Sequence, residues 1–335
     1  MAQQVRICDI AEELGLSTAT VSNVIHGKTN KVSDETVQRV TALLEQRQYI
    51  PSMAGILLAQ NRSRIIGVFV HDHEKYEGHT LEDFFIASSL NCLSSEIEAA
   101  GQFMMVKQAR SAEEIIRFAS MWNMDGIVVI GFCKQDYTYL RSHMRIPFVV
   151  YDGCGELPER ILNITIDNFD GGQQMGRHLR ELGHETALCI ADNAACMDLE
   201  RFQGFCKGFA PGRAELLVIP MQKEQRHAFY LENLHHFRQV SAVFAVSDYY
   251  AIDLMHVLTE QGFFVPGDLS IAGFDDTPVC ELVRPALTTV RQDGMQRARI
   301  AIEKLRELRD GKPVRAEIRL PVSLVIRDST GKRNG

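Results

Sequence analysis

Up to Arg64 the apolar positions recur at helical spacing; beyond it they gather into short runs separated by longer amphipathic stretches. In the first segment, Ile7, Ile10, Ala11 and Leu14 share one face and predict a short helix. Gly15 ends it, because glycine takes a left-handed turn without steric cost. Ser17 then stands as the N-cap of a second helix whose buried face is Val21, Val24 and Ile25. A third helix starts at Ser33, carries Asp34 and Glu35 in its first turn, and has Val37, Val40, Leu43 and Leu44 as its core stripe. A helix, a tight glycine turn and a second short helix form the motif that places the second helix in the major groove of DNA.

After Arg64 the pattern is that of parallel-sheet units. Strands are predicted at Ile65–Val70, Phe103–Val106, Gly126–Ile130 and Phe148–Tyr151, with helices near 85–100 and 112–122 between them. A second set follows at Thr186–Ala191, Leu216–Ile219, Ala242–Val246 and Ser270–Phe274, with helices near 172–182, 199–209 and 251–261. Two doubly wound lobes of this kind hold a ligand between the C-terminal ends of their strands.

Composition changes the picture little. Across 335 residues the net charge is −7, which opposes general adhesion to DNA or anionic lipid, and the first segment is close to neutral. DNA reading therefore rests on the motif and not on basicity. The eight cysteines are scattered without a CxxC, as expected of reduced, mostly buried thiols and not of a disulfide frame or a zinc site. No apolar run reaches membrane-spanning length and no basic-plus-apolar leader opens the chain, so a cytoplasmic location is expected. There is no nucleophile elbow, phosphate loop or metal-spaced cluster, so no catalytic residue, cofactor or metal is expected.

The candidate chemistry has two locations. On the second helix the groove-facing set is Ser17, Thr18, Ala19, Thr20, Ser22 and Asn23. Hydroxyls and the Asn amide serve phosphates or base edges, and Ala19 or the Thr18 methyl can meet a thymine methyl. In the body the candidates lie just past strand ends: Asp152, Asn193, Asp248 and Asp275, with Arg201 able to donate a fork to ligand oxygens. A strand-end Asp can equally cap the helix that follows, above all Asp248. The segment Ser52–Ala59 is too short to hold a helix alone, yet it spends Ile56, Leu57 and Leu58 in a row, which argues for a buried partner.

The chain resembles the lactose-repressor/galactose-repressor (LacI/GalR) family of bacterial transcription regulators. The resemblance is carried by Asp9-Ile10-Ala11, Gly15-Leu16-Ser17, Thr20-Val21-Ser22, Val32-Ser33 and Tyr49-Ile50-Pro51 in the head. It continues through Asp167-Asn168, Leu182-Gly183-His184, Arg201-Phe202-Gln203-Gly204-Phe205, Gly273-Phe274-Asp275-Asp276 and Leu320-Pro321-Val322-Ser323-Leu324. It implies an α/β fold: a helix-turn-helix head over 1–50, a hinge helix and linker over 51–64, and two lobes of the periplasmic-binding-protein type over 65–335. The first lobe would comprise about 65–160 and 293–318 and the second about 161–292 and 319–330, with crossings near Pro158–Asn163, Arg291–Gln292 and Glu317–Pro321.

The resemblance further implies a repressor that binds a two-fold DNA operator as a homodimer and is controlled by a small-molecule effector, a carbohydrate first. A purine, another metabolite or a partner protein is the alternative coeffector. A solute-binding protein without DNA function is the rival from another class. Leu58 falls on the family's minor-groove wedge, and Asp152, Arg201 and Asp275 fall on effector-contact positions. Three departures stand out. Gly294 replaces the usual aromatic after Gln292-Asp293, so a sugar platform would come from Phe84, Phe85, Tyr249 or Tyr250. Asn23 stands where most relatives carry Arg, which removes a guanine reader. His71–His79 (HDHEKYEGH) is expected to be an exposed loop lining the cleft, with metal binding as the lesser reading.

Overall fold

A computed structural model describes residues 5–49, 62–153 and 161–333. The chain divides into two units, Met1–Ser63 and Arg64–Gly335. The hinge segment Ser52–Ala59 with Leu58 lies outside the described residues, as does the first part of the Pro158–Asn163 crossing.

The head contains α1 (Ile7–Leu14), α2 (Thr18–Ile25) and α3 (Asp34–Gln46). Gly15 has φ 65° and its N–H closes back on the carbonyls of Ala11 and Glu12, the left-handed cap that the sequence calls for. Ser17 and Ser33 cap α2 and α3 by accepting from the backbone N–H of Thr20 and Thr36. Ile10, Ala11, Val21, Val40 and Leu43 close a small core, with Val24, Ile25 and Leu44 packed against it.

The body begins with β1 (Ile65–His71), α4 (Phe84–Ala99), β2 (Phe103–Ala109), α5 (Ala112–Met121), β3 (Gly126–Ile130), α6 (Lys134–His143), β4 (Phe148–Tyr151) and β5 (Leu162–Ile166). The chain then runs through α7 (Asn168–Glu181), β6 (Thr186–Ala191), α8 (Cys196–Phe209), β7 (Arg213–Val218), α9 (Lys223–Glu232), α10 (Leu234–Phe237), β8 (Ala242–Ala245), α11 (Asp248–Glu260) and β9 (Ser270–Ala272). It closes with β10 (Thr289–Gln292), α12 (Gly294–Arg309), β11 (Glu317–Leu320) and β12 (Val322–Val325). The first lobe is a parallel sheet of order β11-β5-β4-β3-β1-β2 and the second a parallel sheet of order β7-β6-β8-β9. An antiparallel pair, β10 with β12, joins returning segments between them.

Because β5 pairs with both β4 and β11, the first sheet extends through Ile166, and the passage to the second lobe comes later than the expected Pro158–Asn163. LNITI is a fully buried strand, and its apolar run resembles a connector only when the sheet around it is unseen. The second lobe depends on backbone contact. In α7, Gly172 and Gly176 press against α8 so closely that a Cβ on either would collide with the carbonyl oxygens of Arg201 and Phe205. Gly204 and Gly208 of α8 meet the carbonyls of Phe169 and Gln173 in the same way. Phe205 then stacks between Phe209 and Phe244 at centroid separations of 5.3 and 5.0 Å.

Cys8, Cys92, Cys133, Cys189, Cys206 and Cys280 are free thiols, but Cys196 is disulfide-bonded, which corrects the expectation of reduced thiols throughout. Among the described residues, no helix is long and apolar enough to cross a membrane.

Candidate functional sites

The N-terminal turn of α2 is built by Ser17. Its Oγ accepts from Thr20 N at 3.0 Å and lies 2.8 Å from Thr20 Oγ1, so both hydroxyls are engaged in starting the helix. Val21 is the buried anchor, and Thr18, Ala19 and Asn23 are exposed, with Ser22 half-buried beside them. Thr18 with Ser22, and Ala19 with Asn23, are four apart and form adjacent rows of one face. Elsewhere on the head Arg6 pairs with Asp9, Arg47 pairs with Glu13 at 2.7 Å, and Arg39 donates to the Leu14 carbonyl. Lys28 and Lys31 are exposed on the segment that follows α2.

Between the lobes, the ends of β4 and β9 carry Asp152 and Asp275, both at positive φ (54° and 123°). Asp tolerates this region better than most residues, and at the second angle the backbone is strained, a feature that gathers at functional sites. Asp152 is paired with Arg297 Nη2 at 2.8 Å and accepts from Thr165 Oγ1 at 3.0 Å. Arg297 also donates to the Ile164 carbonyl and stacks over the Tyr151 ring, 4.0 Å from its centroid. Asp275 accepts from Gln292 Nε2 at 2.6 Å and lies 3.9 Å from Arg201 Nη1. Burial pushes the Asp275 carboxyl well above the ordinary carboxylate range, with Arg201 pulling against it. Arg201 itself is fixed by Asn168 Oδ1 at 2.9 Å, by the Val246 carbonyl and by the Phe274 ring beneath it at 3.8 Å.

A cavity of about 630 Å³ opens here, lined from the first lobe by Phe85, Ser88, Tyr151 and Arg297 and from the opposite side by Asp275 and Gln292. It is large enough for a metabolite-sized ligand. The structure thus brings Asp275 to the cavity with Arg201 behind it, and it brings Asp152 there through Arg297. The other expected contacts are placed differently. Asp248 is fully buried and accepts from Thr277 N, Thr277 Oγ1 and Thr289 Oγ1, bracing the segment that presents Asp275. Asn193 spends its amide on Asp192 and Asp198 at 2.6 and 2.8 Å and its oxygen on Ala195 N. Phe84 is exposed at the start of α4, and it is Phe85 that faces the cavity.

Tyr249 and Tyr250 are also committed. Arg226 is wholly buried against the two rings and donates to Tyr249 Oη, while Tyr250 Oη donates to Asp192 at 2.7 Å. The loop after β1 reaches the second lobe at two points: Lys75 Nζ lies 3.7 Å from Asp192, and Glu77 accepts from Lys223 N at 3.1 Å. Its histidines serve local order, His73 accepting from Lys75 N and His79 pairing with Glu82. Burial raises the nearby Asp198 carboxyl to about 6; Asp192 adds to the rise, while Arg201 and Lys75 oppose it.

Sequence reasoning missed Arg297, yet a signal was present. It falls in register with Ala301 and Leu305 on the buried stripe of α12, and a cation on a core stripe needs a partner.

The family model described as bacterial regulatory proteins, lacI family, matches residues 6–52, and that of a periplasmic binding protein-like domain matches residues 177–330. Among curated proteins, the chain is 27% identical over 343 residues to the HTH-type transcriptional repressor PurR of Mannheimia succiniciproducens, covering 97% of this chain and 98% of that one. The protein of the same name from Vibrio cholerae is 28% identical over 339 residues, covering 96% and 97%. Among solved structures, the lac repressor dimer bound to operator and the anti-inducer ONPF superposes with a TM-score of 0.84 at 24% identity, over 98% of this chain and all of that one. The complex of the transcriptional regulator CelR with cellobiose gives 0.70 at 23% identity, over 97% of this chain and 100% of that one.

Proposed function

The chain belongs to the LacI family of bacterial regulatory proteins, and from that premise we propose that it is a sequence-specific transcriptional repressor whose operator affinity is set by a small molecule held between its lobes. It is a binding protein and not an enzyme. Two copies bind a two-fold operator, each placing α2 in a major groove, because a two-fold protein matches two half-sites a helical turn apart. Leu58, in the segment that links head and body, is the proposed minor-groove wedge.

The observation that carries the effector half is the cavity ringed by Asp275, Gln292 and Arg297. Its polar lining holds both acceptors and donors, including Ser88, Ser89 and Ser323, which suit the hydroxyl groups of a carbohydrate. A purine is the second reading, supported by Phe85, a cavity-lining aromatic against which a planar base can stack. Closure of the lobes on the ligand alters the geometry of the linking segment and so shifts the population able to bind DNA.

The test is binding of the purified protein to the intergenic DNA flanking its own gene, with salt varied and a panel of sugars and purines added. Salt-dependent, sequence-specific binding that one compound changes is expected. Specific binding indifferent to every compound removes the effector half, and a complete lack of specific binding removes the reading of the head.

A further inference from the structure

The exposed face of α2 carries no charge. Thr18, Ala19, Ser22 and Asn23 make it up, while the hydroxyls of Ser17 and Thr20 are engaged with each other at the helix start. The exposed cations nearest in sequence, Lys28 and Lys31, lie beyond the C-terminal end of the helix. Cations there suit phosphates, which fix position without reading sequence.

That inventory narrows the bases the face can select. A guanine edge offers two acceptors, O6 and N7, and is best met by the fork of an Arg or by a Lys. A cytosine edge offers a donor and calls for a carboxylate. Neither side chain is present on the face. An adenine edge offers an acceptor at N7 and a donor at N6, which a carboxamide matches by donating from Nδ2 and accepting at Oδ1. Asn23 is the carboxamide of this face, and it is exposed. Thr18 and Ala19 add methyl groups that fit the thymine methyl, while the Ser22 hydroxyl can serve any base.

Resting on the DNA-reading role proposed above, we infer that the recognition helix reads an A·T-rich half-site, with Asn23 making a paired contact to one adenine. Asn23 anchors no core. Its backbone carbonyl accepts from Lys28 N at 2.8 Å, a bond that any side chain preserves. Substitution there leaves the head folded, which thermal unfolding by circular dichroism checks.

The experiment is selection from a library of randomised half-sites by the full-length protein, followed by sequencing, for the natural chain, Asn23→Ala and Asn23→Arg. The natural chain should enrich an adenine at one position in each half-site. Asn23→Ala should flatten the preference there by about tenfold, leaving the other positions unchanged. Asn23→Arg should transfer it to guanine at that same position. A G·C preference in the natural chain at the position that these variants alter would overturn the inference, as would an adenine preference untouched by Asn23→Ala. A library from which the natural chain enriches nothing overturns the DNA-reading role itself, and the inference falls with it.

Discussion

The face of α2 and the cleft between the lobes are both polar, but they hold their polar groups in opposite states. On α2 the Asn23 amide and the Thr18 side chain meet solvent directly. In the cleft the polar groups are already engaged by protein partners: Asp152 with Arg297, Asp275 with Gln292 and Arg201, Asp192 with Lys75 and Tyr250. An exposed group exchanges water for a base edge at modest cost, whereas a buried pair must give up one protein partner for each ligand contact and keeps only the difference. Free groups suit a surface that samples many sequences. Pre-paired groups suit a switch, because a ligand that takes over half of a pair changes what joins the elements around it.

The sharpest way to break this contrast is to unpair the cleft. Asp152→Ala leaves Arg297, 2% exposed, without its carboxylate, and the body should lose about 3–5 kcal/mol in urea unfolding. A loss near zero would mean that the pair is solvated and the contrast is false. Gly204→Ala attacks the scaffold behind the cleft, since the new methyl collides with the Phe169 carbonyl. A loss of about 3 kcal/mol is expected, confined to the body's unfolding transition.

The next effect is smaller and depends on pH. With its carboxyl raised to about 6, Asp198 keeps a proton in the folded chain through a window in which the unfolded chain, at an ordinary 3.8, has lost it. Stability therefore falls as pH rises from about 4 to about 6, since the folded state then binds the extra proton. Asp198→Asn removes that slope. The variant should match the natural chain near pH 4 and exceed it by about 1–2 kcal/mol above pH 6, after allowance for partial solvation. Parallel pH profiles would place Asp198 in water. On the head, Ser17→Ala deletes the cap of α2 and should cost about 1 kcal/mol in the head's own unfolding. An unchanged midpoint would show that Thr20 does not need its partner.

The two regions also differed in how far the sequence disclosed them. The head was readable residue by residue, because Gly15, Ser17 and Ser33 act on their immediate neighbours and the helical stripe of Val21, Val40 and Leu43 is local. Most body strands were legible as apolar runs, but β5 was not. Its role depends on β4 and β11, and β11 follows some 150 residues later. The α6 helix, KQDYTYLRSH, buries only Tyr137 and Leu140 and is otherwise polar, so its period was too faint to find. The cleft was the least legible. A strand-end Asp looks the same whether it faces a cavity, as Asp275 does, or braces a turn, as Asp248 does, and only the positions of Thr277 and Thr289 separate them. Arg297 was hidden for the opposite reason, lying on a helix stripe where a core residue is expected.

The division of labour between the two regions is tested most directly by one paired titration. Operator affinity would be measured for the natural chain, Asn23→Ala and Asp275→Asn, each with and without the compound to which the natural chain responds. The account predicts that Asp275→Asn holds operator affinity within about twofold while losing the response, as expected of independent sites. It predicts that Asn23→Ala weakens the operator while still binding the compound. If Asp275→Asn abolished operator binding in a folded protein, or Asn23→Ala erased binding of the compound, reading and sensing would not be separate tasks and the account would be contradicted.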